Sequence, residues 1–228
     1  NAVVPSKRMI VFSGPTTASS ALFTIKIRGR GGHGSRPDEC IDPLNVASHI
    51  HIALQELQAR ELKSGETGVL TIGCITGGST FNVIPDEAMM MGTIRTYSNE
   101  VREMLISRMK VIVECIATAF RAEVEVEFSD NYTIPLVADS GMAKQCLTAL
   151  REIYPENQVL PMSKSFPGSE DFAFVADRVP TSFIILGANT VPGTKFGQHH
   201  PKVQFNEEVL PIGAAAYAQI AKEWLKNN

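Results

Sequence analysis

The sequence predicts a mixed α/β and α+β fold in two parts, a ferredoxin-like β-α-β-β-α-β unit over residues 21–128 and an α/β tail over 129–228. Three observations point to it. Alternating apolar and polar residues at 21–29 and 123–128 read as half-buried strands. Two long segments place apolar residues three or four apart, as amphipathic helices do. Beyond residue 129 helix and strand patterns take turns, and one of the strands is a continuous apolar run.

Residues 1–20 form a connecting lead-in, and "ALFTIKIRG" (21–29) is the first strand of the unit. Asp42-Pro43 looks like an N-cap with proline at the first helical position. The helix it opens runs to about Glu61, with Leu44, Ala47, Ile50, Leu54 and Leu57 as its apolar stripe. "VLTIGCITGG" and "AMMMGTIRTY" are strands, and the intervening "STFNVIPDE" carries the Asn, Pro and Asp of a loop. Ser98-Asn99-Glu100 starts a second helix striped by Val101, Leu105, Met109, Ile112, Ile116 and Phe120. "EVEVEFSD" closes the unit. Both helices then lie on one face of a four-stranded antiparallel sheet, and pairing with a second copy is one way to cover an edge.

In the tail a helix is expected near 139–154, followed by the strand "VLPM". Ser169, with Glu170 and Asp171 after it, resembles a helix start. "TSFIILGAN" reads as a strand buried on both faces, "NTVPGTKFGQHHPKVQ" as a loop, and Asn206-Glu207-Glu208 as the cap of a last helix ending near Lys226. These strands are too few for a full α/β domain.

The 228 residues are 44% hydrophobic and 20% charged, enough for a substantial core. A net charge of −3 gives no general pull toward nucleic acid or anionic lipid, so neither is expected as a partner. No apolar run approaches the roughly 20 residues that span a bilayer. Cys40, Cys74, Cys115 and Cys146 lie far apart with no C-x-x-C pair, which favours free thiols and a reducing, cytoplasmic setting.

His49 and His51 fall inside the first helix and read as ordinary helix residues. His199 and His200 stand together in a loop after a strand, where ligands gather in open α/β sheets; a metal ligand and a solvated loop residue are both open readings. His33 lies in "GRGGHGSRP". Flanking glycines allow positive φ and remove bulk, so a substrate can approach the ring, and an imidazole N–H can stabilise an oxyanion. The other reading is a solvated histidine on a flexible hairpin. Asn82 offers an amide donor from a loop. Arg95, in an otherwise apolar strand, must point to solvent, a partner or an anion. A guanidinium holds a carboxylate in bidentate fashion, and a surface ion pair is the alternative.

Four segments, "GRGGHGSRP…IDPL", "GGSTFNVIPDEAMMMGTIRTY", "PGSEDFAF" and "HHP…FNEEVLPIGAAA", occur in the order and spacing of the M20 metallopeptidases, and together they cover almost the whole chain. The sequence most resembles the amidohydrolase branch, which includes N-acyl-amino-acid, hippurate and auxin-conjugate hydrolases. Glu170 within "GSEDF" favours that branch over those with a Gly-Thr-Asp version. The resemblance implies metal-dependent hydrolysis of the amide bond of N-acyl amino acids by a homodimer. Residues 21–128 would be the inserted dimerisation domain and 129–228 the last part of a metallohydrolase catalytic domain.

In that scheme His33 reaches across the dimer to stabilise the oxyanion, accompanied by Asn82, while Arg95 holds the substrate carboxylate. Gly168, Ser169 and Glu170 line the substrate, with backbone N–H groups offered at a helix start. His199 would be a ligand to one of two divalent ions (zinc, manganese or cobalt), and His200 a variable neighbour. The family's "H-x-C-G-H-D" and "Q-P-A-E-E" motifs, which supply most ligands and the general base, do not occur here. The resemblance therefore implies that the N-terminal half of the catalytic domain is absent, and that this chain alone is inactive and holds no metal. The alternatives are an M20 dipeptidase or succinyl-diaminopimelate-type deacylase, and a non-enzymatic ferredoxin-like dimer that binds amino acids.

Overall fold

The structure, a computed structural model, describes residues 1–190 and 196–227. Strands β1 (Met9–Phe12), β2 (Gly14–Thr17) and β3 (Ala21–Arg28) come first, then the short β4 (Gly32–His33) and helix α1 (Pro43–Glu56). Next are β5 (Gly68–Gly77), the short β6 (Val83–Ile84), β7 (Glu87–Thr96), α2 (Asn99–Ala119) and β8 (Glu123–Phe128). The remainder comprises β9 (Leu136–Ala138), α3 (Ser140–Arg151), β10 (Val159–Met162), the one-turn α4 (Ala173–Ala176), β11 (Phe183–Leu186) and α5 (Leu210–Asn227). Of the loop expected over 189–204, residues 191–195 lie outside the described residues. Among the described residues no helix is long and apolar enough to cross a membrane. The chain divides into two compact units: Asn1–Thr16, Leu136–Phe166 and Phe172–Asn228 in the first, Thr17–Pro135 and Pro167–Asp171 in the second.

The second unit is the expected split βαβ. Its antiparallel sheet has the order β5-β7-β3-β8. β3 pairs with β7 from Ala21↔Ile94 to Arg28↔Glu87, and with β8 from Phe23↔Phe128 to Arg28↔Glu123. Alternation sends Phe23, Ile25, Ile27, Met90 and Ile94 to the helix face, all at most 2% exposed. Val46, Ile50 and Leu54 of α1 and Leu105, Met109 and Val113 of α2 close that core. The helices start where their caps dictate. The Asp42 side chain accepts from the Leu44 N–H at 2.9 Å, and the Ser98 hydroxyl oxygen from the Val101 N–H at 3.1 Å.

The first helical pattern does reach Glu61, but its last turn, Leu57–Glu61, is π-helical, closed by Leu62 N–H to the Leu57 carbonyl. Arg108 of α2 donates to both oxygens of Glu61, at 2.6 and 2.9 Å, pinning that turn. These hydrogen bonds hold the Glu61 carboxyl below its usual range.

The first unit centres on β1, parallel to β10 and antiparallel to β11. Neither β1 nor β2 stands out in the sequence. β11 departs from the expectation of a strand buried on both faces, since all four of its residues are half-buried. The reason is topological: β11 is the edge of a three-stranded sheet. An apolar cavity of about 370 Å³ lies along it, lined by Phe183, Ile184, Leu186, Ala216, Tyr217 and Ile220 among others. All four cysteines are free thiols, and burial pushes the Cys146 thiol up.

Leu105 is fully buried. Leu105→Ala should lower the stability of the second unit by about 2–5 kcal/mol in urea denaturation. Val111→Ala, on the solvent face of the same helix, should change it by less than about 0.5 kcal/mol.

Candidate functional site

The loop that carries His33 is a second, smaller ladder attached to the end of the β3–β7 pair. Gly32 pairs with Ile84 and His33 with Val83. The Gly34 N–H donates to the Asn82 carbonyl at 2.8 Å, and the Gly31 N–H to Oδ1 of Asp86 at 2.8 Å. The pairing is offset from that of β3–β7. From Arg28 to Gly32 is four residues forward, whereas their partners Glu87 and Ile84 are three residues apart. The extra residue is Arg30, whose backbone leaves the ladder to bond Ile41 in both directions at 2.9 Å.

The glycines here serve close approach rather than positive φ, which corrects the sequence reading. None of Gly29, Gly31, Gly32 and Gly34 is among the residues at positive φ. A Cβ on Gly31 would sit 2.5 Å from the Ile84 carbonyl oxygen, and one on Gly34 3.0 Å from that of Asn82. The loop is therefore a clamped ribbon.

His33 is exposed at its surface. Its Nδ1 accepts from the Ser35 backbone N–H at 3.1 Å and lies 2.8 Å from the Ser35 hydroxyl oxygen. Asn82 accepts on Oδ1 from the Thr80 hydroxyl at 3.4 Å, which leaves its amide N–H groups to donate. Beside it Phe81 is 99% exposed, an unusual position for an aromatic ring.

Arg95 stands at the other end of the sheet. It is half-buried on β7, opposite Val69, and among the described residues no carboxylate pairs with it. The surface ion pair considered from the sequence is not formed. Glu87 and Arg95 are eight residues apart along β7, roughly 27 Å at about 3.4 Å per residue. Segment 167–171 belongs to Arg95's end. Ala18 N–H donates to the Gly168 carbonyl at 2.9 Å, and Ser19 N–H to that of Thr96, the residue after Arg95, at 2.7 Å.

The helix start expected at Ser169 is not there. Residues 168–170 are irregular, and the single turn of α4 begins only at Ala173, capped by Phe172. Gly168 spends its carbonyl on Ala18, which draws the chain along the second unit before a helix can form. Gly168 and Ser169 thus present no helix N-terminus, and Glu170 is a half-buried carboxylate beside them.

In the first unit His199 adopts φ of 72°, is exposed, and has no hydrogen-bond partner among the described residues. His200 is occupied: its ring stacks on Phe196 at 4.2 Å and its Nδ1 accepts from the Lys202 N–H at 3.1 Å. Among the described residues no three His, Cys, Asp or Glu side chains converge. A lone imidazole does not fit a site for two divalent ions, each of which needs about four or more ligands. The residues of this chain do not make that site by themselves.

Sequence reasoning passed over Ser35 and Asp86, the groups that hold His33 and its ribbon. The available signal was a hydroxyl residue two positions after the histidine and a carboxylate just before the returning strand.

The architecture is that of a ferredoxin-like pairing unit joined to an α/β unit. Residues 16–130, half of the chain, match the family described as the M20 peptidase dimerisation domain. The chain belongs to the M20 peptidase family. It is 31% identical over 229 residues to IAA-amino acid hydrolase ILR1-like 2 of Arabidopsis thaliana, covering 99% of this chain and 52% of that protein. It is 34% identical over 213 residues to N-acetylcysteine deacetylase of Bacillus subtilis, covering 92% and 53%. The crystal structure of Bacillus subtilis YXEP protein, described as a dinuclear metal binding peptidase from the M20 family, superposes with a TM-score of 0.74. That match is at 28% identity and covers 97% of this chain and 54% of that one. The chain spans about half the length of the curated relatives it matches.

Gly31→Ala should open the ribbon without unfolding the sheet. Hydrogen–deuterium exchange should show the Gly34 amide losing protection while the amides of Ile25 and Met90 keep theirs.

Proposed function

We propose that the full-length protein is a metal-dependent amidohydrolase that cleaves the amide bond of N-acyl amino acids as a homodimer. In this reading residues 21–128 are the pairing domain, 129–228 the closing part of the catalytic domain, and 1–20 their connection. The observation that carries it is that His33 lies beyond the Glu87 end of β7 and Arg95 near its other end, with roughly 27 Å of strand from Glu87 to Arg95. A small substrate cannot span roughly 27 Å, so the two act on one molecule only if they come from different protomers.

Each residue then has a task its chemistry suits. The Arg95 guanidinium, half-buried and without a carboxylate partner among the described residues, takes the substrate's carboxylate in its fork. His33 donates from Nε2 to the amide oxygen as charge builds there, and Asn82 adds an amide donor. Phe81 and the ribbon tip lose their exposure when the ribbon enters the neighbouring protomer. His199 would be a ligand to one of two divalent ions (zinc, manganese or cobalt), with the other ligands coming from outside these 228 residues. The relatives' printed names, a hydrolase of amino-acid conjugates and a deacetylase of an N-acetyl amino acid, support the substrate class.

His33→Ala in the full-length enzyme should lower kcat by about 10²–10³. Arg95→Ala should act chiefly on KM. Mixing and re-equilibrating the two impaired variants, assayed at substrate well below the KM of Arg95→Ala, is the decisive test. Heterodimers built this way contain one intact site, so activity should return to about a quarter of wild type for statistical exchange. No recovery, with heterodimers demonstrated by native mass spectrometry, would place both residues in one protomer's site and overturn the reading.

Charge indicates which edge pairs. β8 lines its edge with Glu123, Glu125 and Glu127, which a two-fold copy would set against one another. The β5 edge offers Ile75, and the adjacent α1 offers Ile52, 46% and 69% exposed. Ile52→Asp should yield monomers in light scattering after size exclusion, and Glu125→Lys should leave the dimer intact.

A further inference from the structure

We infer that Ser35 is a positioning residue that sets the tautomer and the orientation of the His33 ring, so that Nε2 presents a proton outward; the inference rests on the reading of His33 given above. A backbone N–H can only donate. Because the Ser35 N–H points at Nδ1 of His33 at 3.1 Å, Nδ1 is the acceptor. A neutral imidazole has one N–H, which is then on Nε2. The Ser35 hydroxyl, 2.8 Å from the same nitrogen, adds a second donor to that lone pair.

The backbone around the ring makes this contact geometrically stiff. His33 is paired with Val83, and its carbonyl accepts the Arg36 N–H at 2.8 Å. Gly34 N–H is tied to the Asn82 carbonyl, and the absence of a Cβ at 34 lets the ribbon close on the Asn82 backbone. The Cα of His33 is thus placed by the ladder, and χ1 and χ2 are restrained by Ser35.

An exposed histidine without such a partner turns freely and populates both neutral tautomers. Only one of them can donate from the outward nitrogen. The opposite tautomer would offer a lone pair to an oxyanion and repel it. Ser35 therefore acts on the reacting atoms through His33, without touching them.

The test has two arms. In the first, long-range 1H–15N correlation spectra of this chain at pH above 8 report which ring nitrogen carries the proton. His33 should show a single Nε2–H tautomer; Ser35→Ala, which keeps the backbone N–H, should loosen the ratio only partly, Ser35→Pro, which removes both donors, should shift it several-fold toward a mixture, and Ser35→Thr should match wild type. In the second, kcat of full-length Ser35→Ala should fall roughly three- to tenfold, the worth of one hydrogen bond. KM should stay within about twofold, and Ser35→Thr should recover the rate. A wild-type His33 protonated at Nδ1, or a tautomer ratio unmoved in Ser35→Pro, overturns the inference. A tautomer shift with kcat unchanged supports the positioning role and overturns the hydrolytic role of His33, so the two claims fail separately.

Discussion

The antiparallel pairing of β3 with β7 is the constraint from which the second unit follows. Eight consecutive residue pairs lock one register. A slip of one would turn Phe23, Ile25 and Ile27 out of the core together. The pair is also tight. A Cβ on Gly92 would collide with the Phe23 ring and the Thr71 carbonyl, so the sheet closes only around glycine at that point. With β3 and β7 central, β5 and β8 become the two edges, and both helices cover the same face.

That register also assigns the chemistry to places. The ends of one strand hold two kinds of group: near Thr96 a guanidinium that no carboxylate among the described residues pairs with, and beyond Glu87 an imidazole ribbon. A rigid strand between them keeps them apart. The same stiffness that prevents them from meeting within one chain holds each in a fixed posture. Preorganisation here is inherited from the sheet, since hydrogen bonds at the ribbon add orientation to a position already set.

Much of this was legible in the residues. The β3 and β8 alternation, the 3.6-period stripes of α1 and α2, and the caps at Asp42 and Ser98 are local signals, and the structure follows them. His33, Asn82 and Arg95 were visible as chemistry, but their spacing in three dimensions was not, because it depends on register. The ribbon β4–β6 was hidden because two-residue strands have no periodicity to read. The glycines beside His33 were misread because sequence cannot tell a glycine chosen for φ from one chosen for a close carbonyl. Ser169 followed by two acids has the composition of a helix start, yet a long-range bond from Ala18 to Gly168 outweighs it. β11 has the composition of a central strand and the position of an edge.

Arg30 steps out of the ladder, and its backbone bonds Ile41 instead. Side chains on a strand alternate, and five residues from Arg28 to His33 face four from Glu87 to Val83, so the odd residue is absorbed in the bulge and the ring keeps the side of Val83. Removing that residue would leave four on each arm, so the histidine would still stand opposite Val83 and keep its side, while the tie to Ile41 would be lost. The extra residue is a tether: it fastens the ribbon to the segment that leads into α1.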